Sequence, residues 1–336
     1  MKNKIFFFSC FLANLFAEIE QGHPLESKDL PQEYNAPARF EVKRPSDIYI
    51  SASFIYWQAR EGGLEVASAV SPLPTIDSRF ISMDFKFNPG FKILFGVNFV
   101  HDFWTAYGEY TRLYLTDHTS SYVPNDTVLV PIWLDTDIGL NNPYYVKGIW
   151  HLQLNVLDIS FSRPYYVGYM TIIDPIFGLK AWWIGQTYNA LYSYQEELLV
   201  DSYKHTRIWA LGPRGGANIG WHFAGGFKIT TKACFALLYE HFKTRSVIYI
   251  EEAKAFDERY SVQQIAPVIE MATGISWGSY LLRSMLHLET GLSYEFQLFF
   301  SQNVLRNYKD MAKNNVDSNI GDLLLQGLTL NLRFDF

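Results

Sequence analysis

From Ile48 onward, apolar and polar residues alternate in runs with a period of two, and the alternation keeps returning up to the last residue. Side chains alternate across a strand, so each run predicts a β-strand with one apolar and one polar face. The clearest is Gly327–Phe336. Leu328, Leu330, Leu332, Phe334 and Phe336 share one face there, and Gly327, Thr329, Asn331, Arg333 and Asp335 share the other. An apolar face kept to a terminal phenylalanine predicts a closing strand that is held in place and faces lipid. Ile48, Ile50, Ala52, Phe54 and Tyr56 form the first such face. Between Ile81 and Phe99 every second residue is apolar, Pro89 included. Sandwich strands typically run ~5–6 residues, so this length argues for a spanning strand. Pro89 predicts a bulge or bend in it.

Further runs at 103–115, 149–162, 169–183, 207–223, 225–243, 262–277, 285–300 and 320–336 follow. The 149–162 run changes phase near Val156–Leu157, which predicts a bulge. The 225–243 run is apolar on both faces and predicts a break at Thr230–Thr231. The connections sort by parity: 57–80, 116–148, 184–206, 244–261 and 301–319 are long, and those between them are short. Membrane barrels do this, with short periplasmic turns on one side and long loops on the other. The predicted fold is all-β: a transmembrane antiparallel up-and-down β-barrel of about 10 strands (10–12) spanning 47–336.

Composition adjusts this picture in a few places. Aromatics make up 17% of the chain and charged residues 18%, against a typical ~25% charged; barrels carry aromatic girdles at both interfaces. The net charge of −6 becomes −8 once Lys2 and Lys4 are removed. That excludes a broad basic nucleic-acid footprint. Lys2 and Lys4 precede the apolar Ile5–Phe16 and then Ala17, so residues 1–17 read as a signal peptide, in preference to a lipid anchor at Cys10. Residues 18–46 hold Pro24, Pro31, Pro37 and Pro45 without a clear period. They read as an irregular periplasmic leader, a tail rather than a segment folded into the lumen. Cys234 is then the single mature thiol, in an apolar stretch that suits a buried filler. No internal disulfide is available.

The candidate chemistry lies on the polar parity. Asp84, Lys86, Lys92, Asp174, Lys180, Arg214, Glu270, Glu289, Glu295 and Arg333 are predicted to face the lumen, since a Lys or Arg in lipid at the midplane costs ~2–4 kcal/mol. Gly90, Gly96, Gly212, Gly216, Gly274, Gly278 and Gly291 on that parity predict free space, hence a narrow pore. Gly212–Gly216 lacks the spacing of a phosphate loop. Asp117, Asp126, Asp135 and Asp137 fall in the longest loop, and folded inward they would form a cation-favouring constriction.

Four segments, in order and spacing, resemble the Legionella-type major outer membrane protein family, also found in Chlamydia-related bacteria. They are Ala52–Gly62, Phe87–Lys92, Trp209–Gly216 and Leu325–Phe336. The resemblance implies a pore-forming outer-membrane β-barrel for ions and small hydrophilic solutes. Its implied partners are outer-membrane lipid and, through the C-terminal strand, the barrel assembly machinery. Loops 116–148 and 244–261 depart from the family, and the low cysteine content differs from the chlamydial porins. Two other readings stand beside it. One is a non-conducting structural or adhesin barrel. The other is a hydrolase using Asp117–His118 or His205, though adjacent residues on a strand point apart. No catalytic residue, metal or cofactor is assigned.

Overall fold

The computed structural model describes residues 38, 47–71, 77–99, 103–124, 127–134, 140–195, 198–304 and 321–336. The expected signal peptide, all but one residue of the leader, and Asp126, Asp135 and Asp137 lie outside them. The strands in chain order are β1 (Ile48–Glu61), β2 (Ala67–Val70), β3 (Ser78–Ile81), β4 (Phe87–Asn98), β5 (Thr105–Tyr122), β6 (Val128–Pro131) and β7 (Tyr145–Ser162). They continue with β8 (Tyr165–Tyr166), β9 (Thr171–Ser193), β10 (Leu199–His222), β11 (Phe227–Ile250), β12 (Ala253–Leu281), β13 (Leu286–Phe299) and β14 (Leu323–Asp335).

Ten of these close an antiparallel barrel in the order β1, β4, β5, β7, β9, β10, β11, β12, β13, β14, and β14 returns to β1. The ring shuts from Tyr49 opposite Asp335 to Glu61 opposite Leu323. The predicted closing strand therefore does close the barrel, with Leu328, Leu330, Leu332 and Phe336 outward and exposed. Among the described residues, no helix is long and apolar enough to cross a membrane; the chain crosses with strands.

Several local expectations are corrected. The run from Ile81 to Phe99 is not one strand: Ile81 ends β3, and β4 begins only at Phe87. No bulge forms at Pro89 or at Val156–Leu157. The β1–β4 register runs unbroken through Tyr56 opposite Pro89, and β7 pairs both its neighbours in step across 156–157. β11 likewise continues through Thr230–Thr231, and its irregularity falls at Ile248–Tyr249 instead. The expected long loops 184–206 and 244–261 are largely strand. β9 and β10 meet at Ser193 opposite Leu199, and β11 turns into β12 at Glu251–Glu252, with φ of 48° and 66°.

One cause underlies most of these misreadings: the barrel has two tiers of opposite polarity. On β7, Leu157, Ile159 and Phe161 point outward in the lower tier while Asp158, Ser160 and Ser162 are buried inside. Above Leu157 the same strand reverses. Val156, Leu154, Leu152 and Trp150 are buried inside, and Asn155, Gln153 and His151 point outward. The side chains never changed sides; the surroundings did. The outward face is apolar only where lipid covers it. Exposed aromatics mark the margin of that zone, Tyr56, Trp183, Trp209 and Tyr239 above and Trp221, Phe227 and Phe336 below, as amphipathic rings do at membrane interfaces. The short turns and Phe336 lie at the lower, periplasmic end.

Candidate functional site

The lumen is stacked in three layers. At the periplasmic end lies a polar vestibule of about 250 Å³, lined by Tyr49, Tyr107, Glu109, Asp174, Lys228, Lys232, Glu289 and Arg333 among others. Ala38 also lines it, its N–H donating to Pro164 O at 3.1 Å. Both charge signs are present and partly paired. Lys228 Nζ donates to Glu289 at 2.9 Å. The Arg333 guanidinium donates to Asp335 Oδ1 at 3.0 and 2.6 Å and covers the Tyr49 ring at 3.9 Å.

Above the vestibule, at mid-membrane, a band of buried ion pairs crosses the barrel. Lys180 Nζ bonds both Asp158 oxygens, at 3.0 and 3.1 Å, and reaches Glu270 at 2.9 Å. Arg214 grips Glu270 by two bonds of 3.1 and 2.7 Å and donates to Ser160 Oγ. Lys92 pairs with Glu295 at 2.5 Å and lies over the Trp57 ring. Glycines make room for this band: Lys180 sits opposite Gly212, and Arg214 opposite Gly178. In a water-poor interior such pairs hold only with near-complete hydrogen bonding, which Asp158, Glu270 and Ser160 supply.

The upper tier is a hydrophobic core. Trp182 stacks on Phe299 at 4.4 Å, and Leu113, Leu154, Leu238 and Val268 pack with them. Two external loops cap it. β2, from the first, pairs with β3 and with β6 of the second, forming a small three-stranded sheet. Leu64, Val66, Leu129 and Trp133 of these loops enter the core. Barrel side chains fasten the lid: Tyr188 OH donates to Leu64 O, Tyr192 OH to Val66 O at 2.8 Å, and Ser202 Oγ to Trp133 O at 2.9 Å. The described side chains of this tier are packed together as one buried apolar cluster.

Eight of the predicted lumen residues do face inward: Lys92, Asp174, Lys180, Arg214, Glu270, Glu289, Glu295 and Arg333. Asp84 and Lys86 do not. They lie in the exposed segment between β3 and β4, because the chain leaves the barrel wall there to build the lid. Asp117 is not in a loop either. It is a buried inward residue of β5, Oδ2 accepting from Lys86 N–H at 3.3 Å, and burial raises its pKa. The described part of the longest loop inserts apolar side chains into the core. The inward glycines leave little free space. A Cβ at Gly96 would lie 2.1 Å from the Tyr49 ring, and one at Gly90 would meet Ile55 at 2.9 Å. Their role is to seat neighbouring side chains. Cys234 is buried, as its apolar surroundings implied.

Sequence reading missed Asp158, Glu109, Lys228 and Lys232. Asp158 stands just beyond the apparent phase slip, and the two lysines stand in the run read as apolar on both faces. Simple alternation from Phe161 backward and from Phe227 forward would have found all three.

The model of the family described as Legionella pneumophila major outer membrane protein precursor matches residues 43–336. The chain belongs to this family. It is an integral β-barrel of the bacterial outer membrane. No curated protein sequence matches it. Among solved structures, the outer membrane protease OmpT from Escherichia coli aligns at 11% identity and TM-score 0.45, over 89% of this chain and 99% of that one. A Pseudomonas aeruginosa FadL homologue aligns at 7% identity and TM-score 0.26, over 86% and 89%. The P. putida toluene transporter TodX aligns at 8% identity and TM-score 0.20, over 87% and 91%. Likenesses this loose carry no argument about activity.

Family membership leaves the chemistry to be read from the layers. His118 points outward and Asp117 inward on β5, so they do not form a pair. His205 points outward and shares a hydrogen bond with Thr187 Oγ1 at 3.0 Å. Among the described residues no group of His, Cys, Asp and Glu is arranged to hold a metal ion. What the lumen does offer is a water-accessible charged vestibule below an ion-paired cross-section.

Proposed function

We propose that this barrel carries ions and small hydrophilic solutes across the outer membrane by passive diffusion, and that the arrangement described is its closed state. The observation behind the reading is the vestibule: about 250 Å³ of polar space leading up to charged side chains held at mid-membrane. The family resemblance supports it. Opening requires the lid sheet to lift from the upper core and the band to exchange its ion pairs for water. No residue acts as a catalyst in this reading. The outward leucines of β14 serve both lipid contact and recognition by the assembly machinery.

Single-channel recording in planar bilayers tests the proposal. Stepwise conductance is expected, with longer openings for Trp133→Ala, which removes the lid's largest anchor. Electrical silence from both proteins would overturn it and favour a second reading, a non-conducting structural barrel. The observation favouring that second reading is the packed upper tier.

A further inference from the structure

A cationic platform on the outside of the barrel is not used by anything described above. On the outward face of β10–β12, Arg207 lies directly opposite Lys243; one step higher His205 lies opposite Arg245, which lies opposite Arg259. Arg245 is neutralised by two bonds to Asp257, at 2.9 and 2.8 Å. Arg207, Lys243 and Arg259 are exposed, and no ion pair to a carboxylate forms at any of them among the described residues. Arg207 is steadied by donating from Nε to His205 Nε2 at 3.1 Å. Like charges directly opposite on neighbouring strands are destabilising. The arrangement therefore calls for an anion from outside the chain.

Its height in the membrane says which anion. Trp209 is two residues below Arg207 on the same face, opposite Trp183, and both rings are half exposed within the upper aromatic girdle. Leu211 and Tyr239 continue that face downward into the lipid zone. The cations thus stand where lipid headgroups begin, with acyl-chain surface directly beneath. Arg offers a planar fork suited to phosphate, and Lys a mobile point charge. Gly185 flanks Arg207 and Ser261 flanks Lys243, so no bulky side chain walls off the approach.

We infer that Arg207 and Lys243 bind the phosphate-bearing headgroup of an anionic lipid of the outer leaflet. The phosphate sits between the two cations, the headgroup rests against Trp209, and the acyl chains run down past Leu211 and Tyr239. The site does not depend on whether the lumen conducts.

The test titrates the purified full-length barrel, in non-ionic detergent, with diphosphoryl lipid A, its dephosphorylated form and inorganic phosphate, read by native mass spectrometry. The proteins are wild type, the Arg207→Gln/Lys243→Gln double variant and, as control, Lys86→Gln. Both substituted side chains point away from the core, and heat-modifiable migration confirms that each variant folds. Wild type and the control should bind diphosphoryl lipid A equally, and the double variant at least ~10-fold more weakly, with most of the salt dependence gone. The site is overturned if the double variant binds as tightly as wild type. It is overturned equally if dephosphorylated lipid binds as well as the phosphorylated form, which would mean acyl contact alone. Competition by inorganic phosphate at lipid concentrations would also overturn it, leaving a simple anion site.

Discussion

The lower and upper tiers of this barrel are made from the same strands, in unbroken register, with opposite patterning. On β9, Leu179 points into lipid and Lys180 into the lumen. A few residues higher, Thr187 points into water and Tyr188 into a hydrophobic core. Below, the protein is turned inside out and is held by buried ion pairs and hydrogen bonds. Above, it is built like a water-soluble barrel and is held by apolar burial under a lid. Strand geometry fixes only which side a residue takes; the medium on that side decides whether an apolar or a polar residue belongs there.

The sharpest way to break the comparison is at the band. Arg214→Ala leaves Glu270 buried with one partner fewer, and should destabilise the barrel by about 3–5 kcal/mol in urea unfolding. The paired change Arg214→Met/Glu270→Leu should recover most of that. The same size of loss from the pair as from the single variant would show that the band depends on charge itself rather than on mutual satisfaction.

The outward face gives the next largest contrast. Leu179→Arg, in the lipid zone, should cost about 2–4 kcal/mol. His151→Arg, on the same outward parity in the upper tier, should stay within about 0.5 kcal/mol. Equal costs would place the membrane boundary elsewhere.

The upper tier should also respond to pH through one buried carboxyl group. Glu61 is buried there beside Gln186, and burial raises its pKa to about 8. The folded tier thus holds this proton more tightly than the unfolded chain. Its stability is full below the ordinary glutamate pKa near 4.5, falls as pH rises, and has lost this contribution once pH passes about 8. Glu61→Gln should flatten that slope and raise stability at pH 7. Hydrogen exchange at 64–70 across pH 5–8 measures it, and an unchanged slope in the variant would remove Glu61 as the cause.

The smallest effect is at the β11–β12 turn, where Glu251 and Glu252 both adopt positive φ. Such turns favour Asn-Gly. Glu251→Asn/Glu252→Gly should stabilise by about 1 kcal/mol in thermal melts.

How much of this was legible in the sequence follows from the same division. The ten spanning strands, their lower ends, the closing strand and most lumen charges were readable, because in lipid the apolar parity is obligatory. Reading failed where that obligation ends. At Val156–Leu157 an inversion of polarity looked like a bulge, and beyond Trp183 and Tyr239 strands seemed to become loops. Glu251–Glu252 carries no turn signal at all, so the hairpin was hidden inside an apparent long loop. The lid was illegible for another reason: β2, β3 and β6 are short strands, β2 and β6 pair across two separate loops, and nothing local specifies that pairing.

The seam between β1 and β14 has a consequence for how the molecule is made. Trp57 Nε1 donates to Thr329 Oγ1 across 272 positions of sequence, and β14 is the strand that links β13 to β1. The first and last strands of the barrel are therefore neighbours in space though far apart in sequence. A polypeptide cut short before Leu323 would leave two long unpaired edges in an oily environment, where unpaired backbone groups are costly. Closure thus acts as a proofreading step for chain length: only a product translated through its final strand can seal itself.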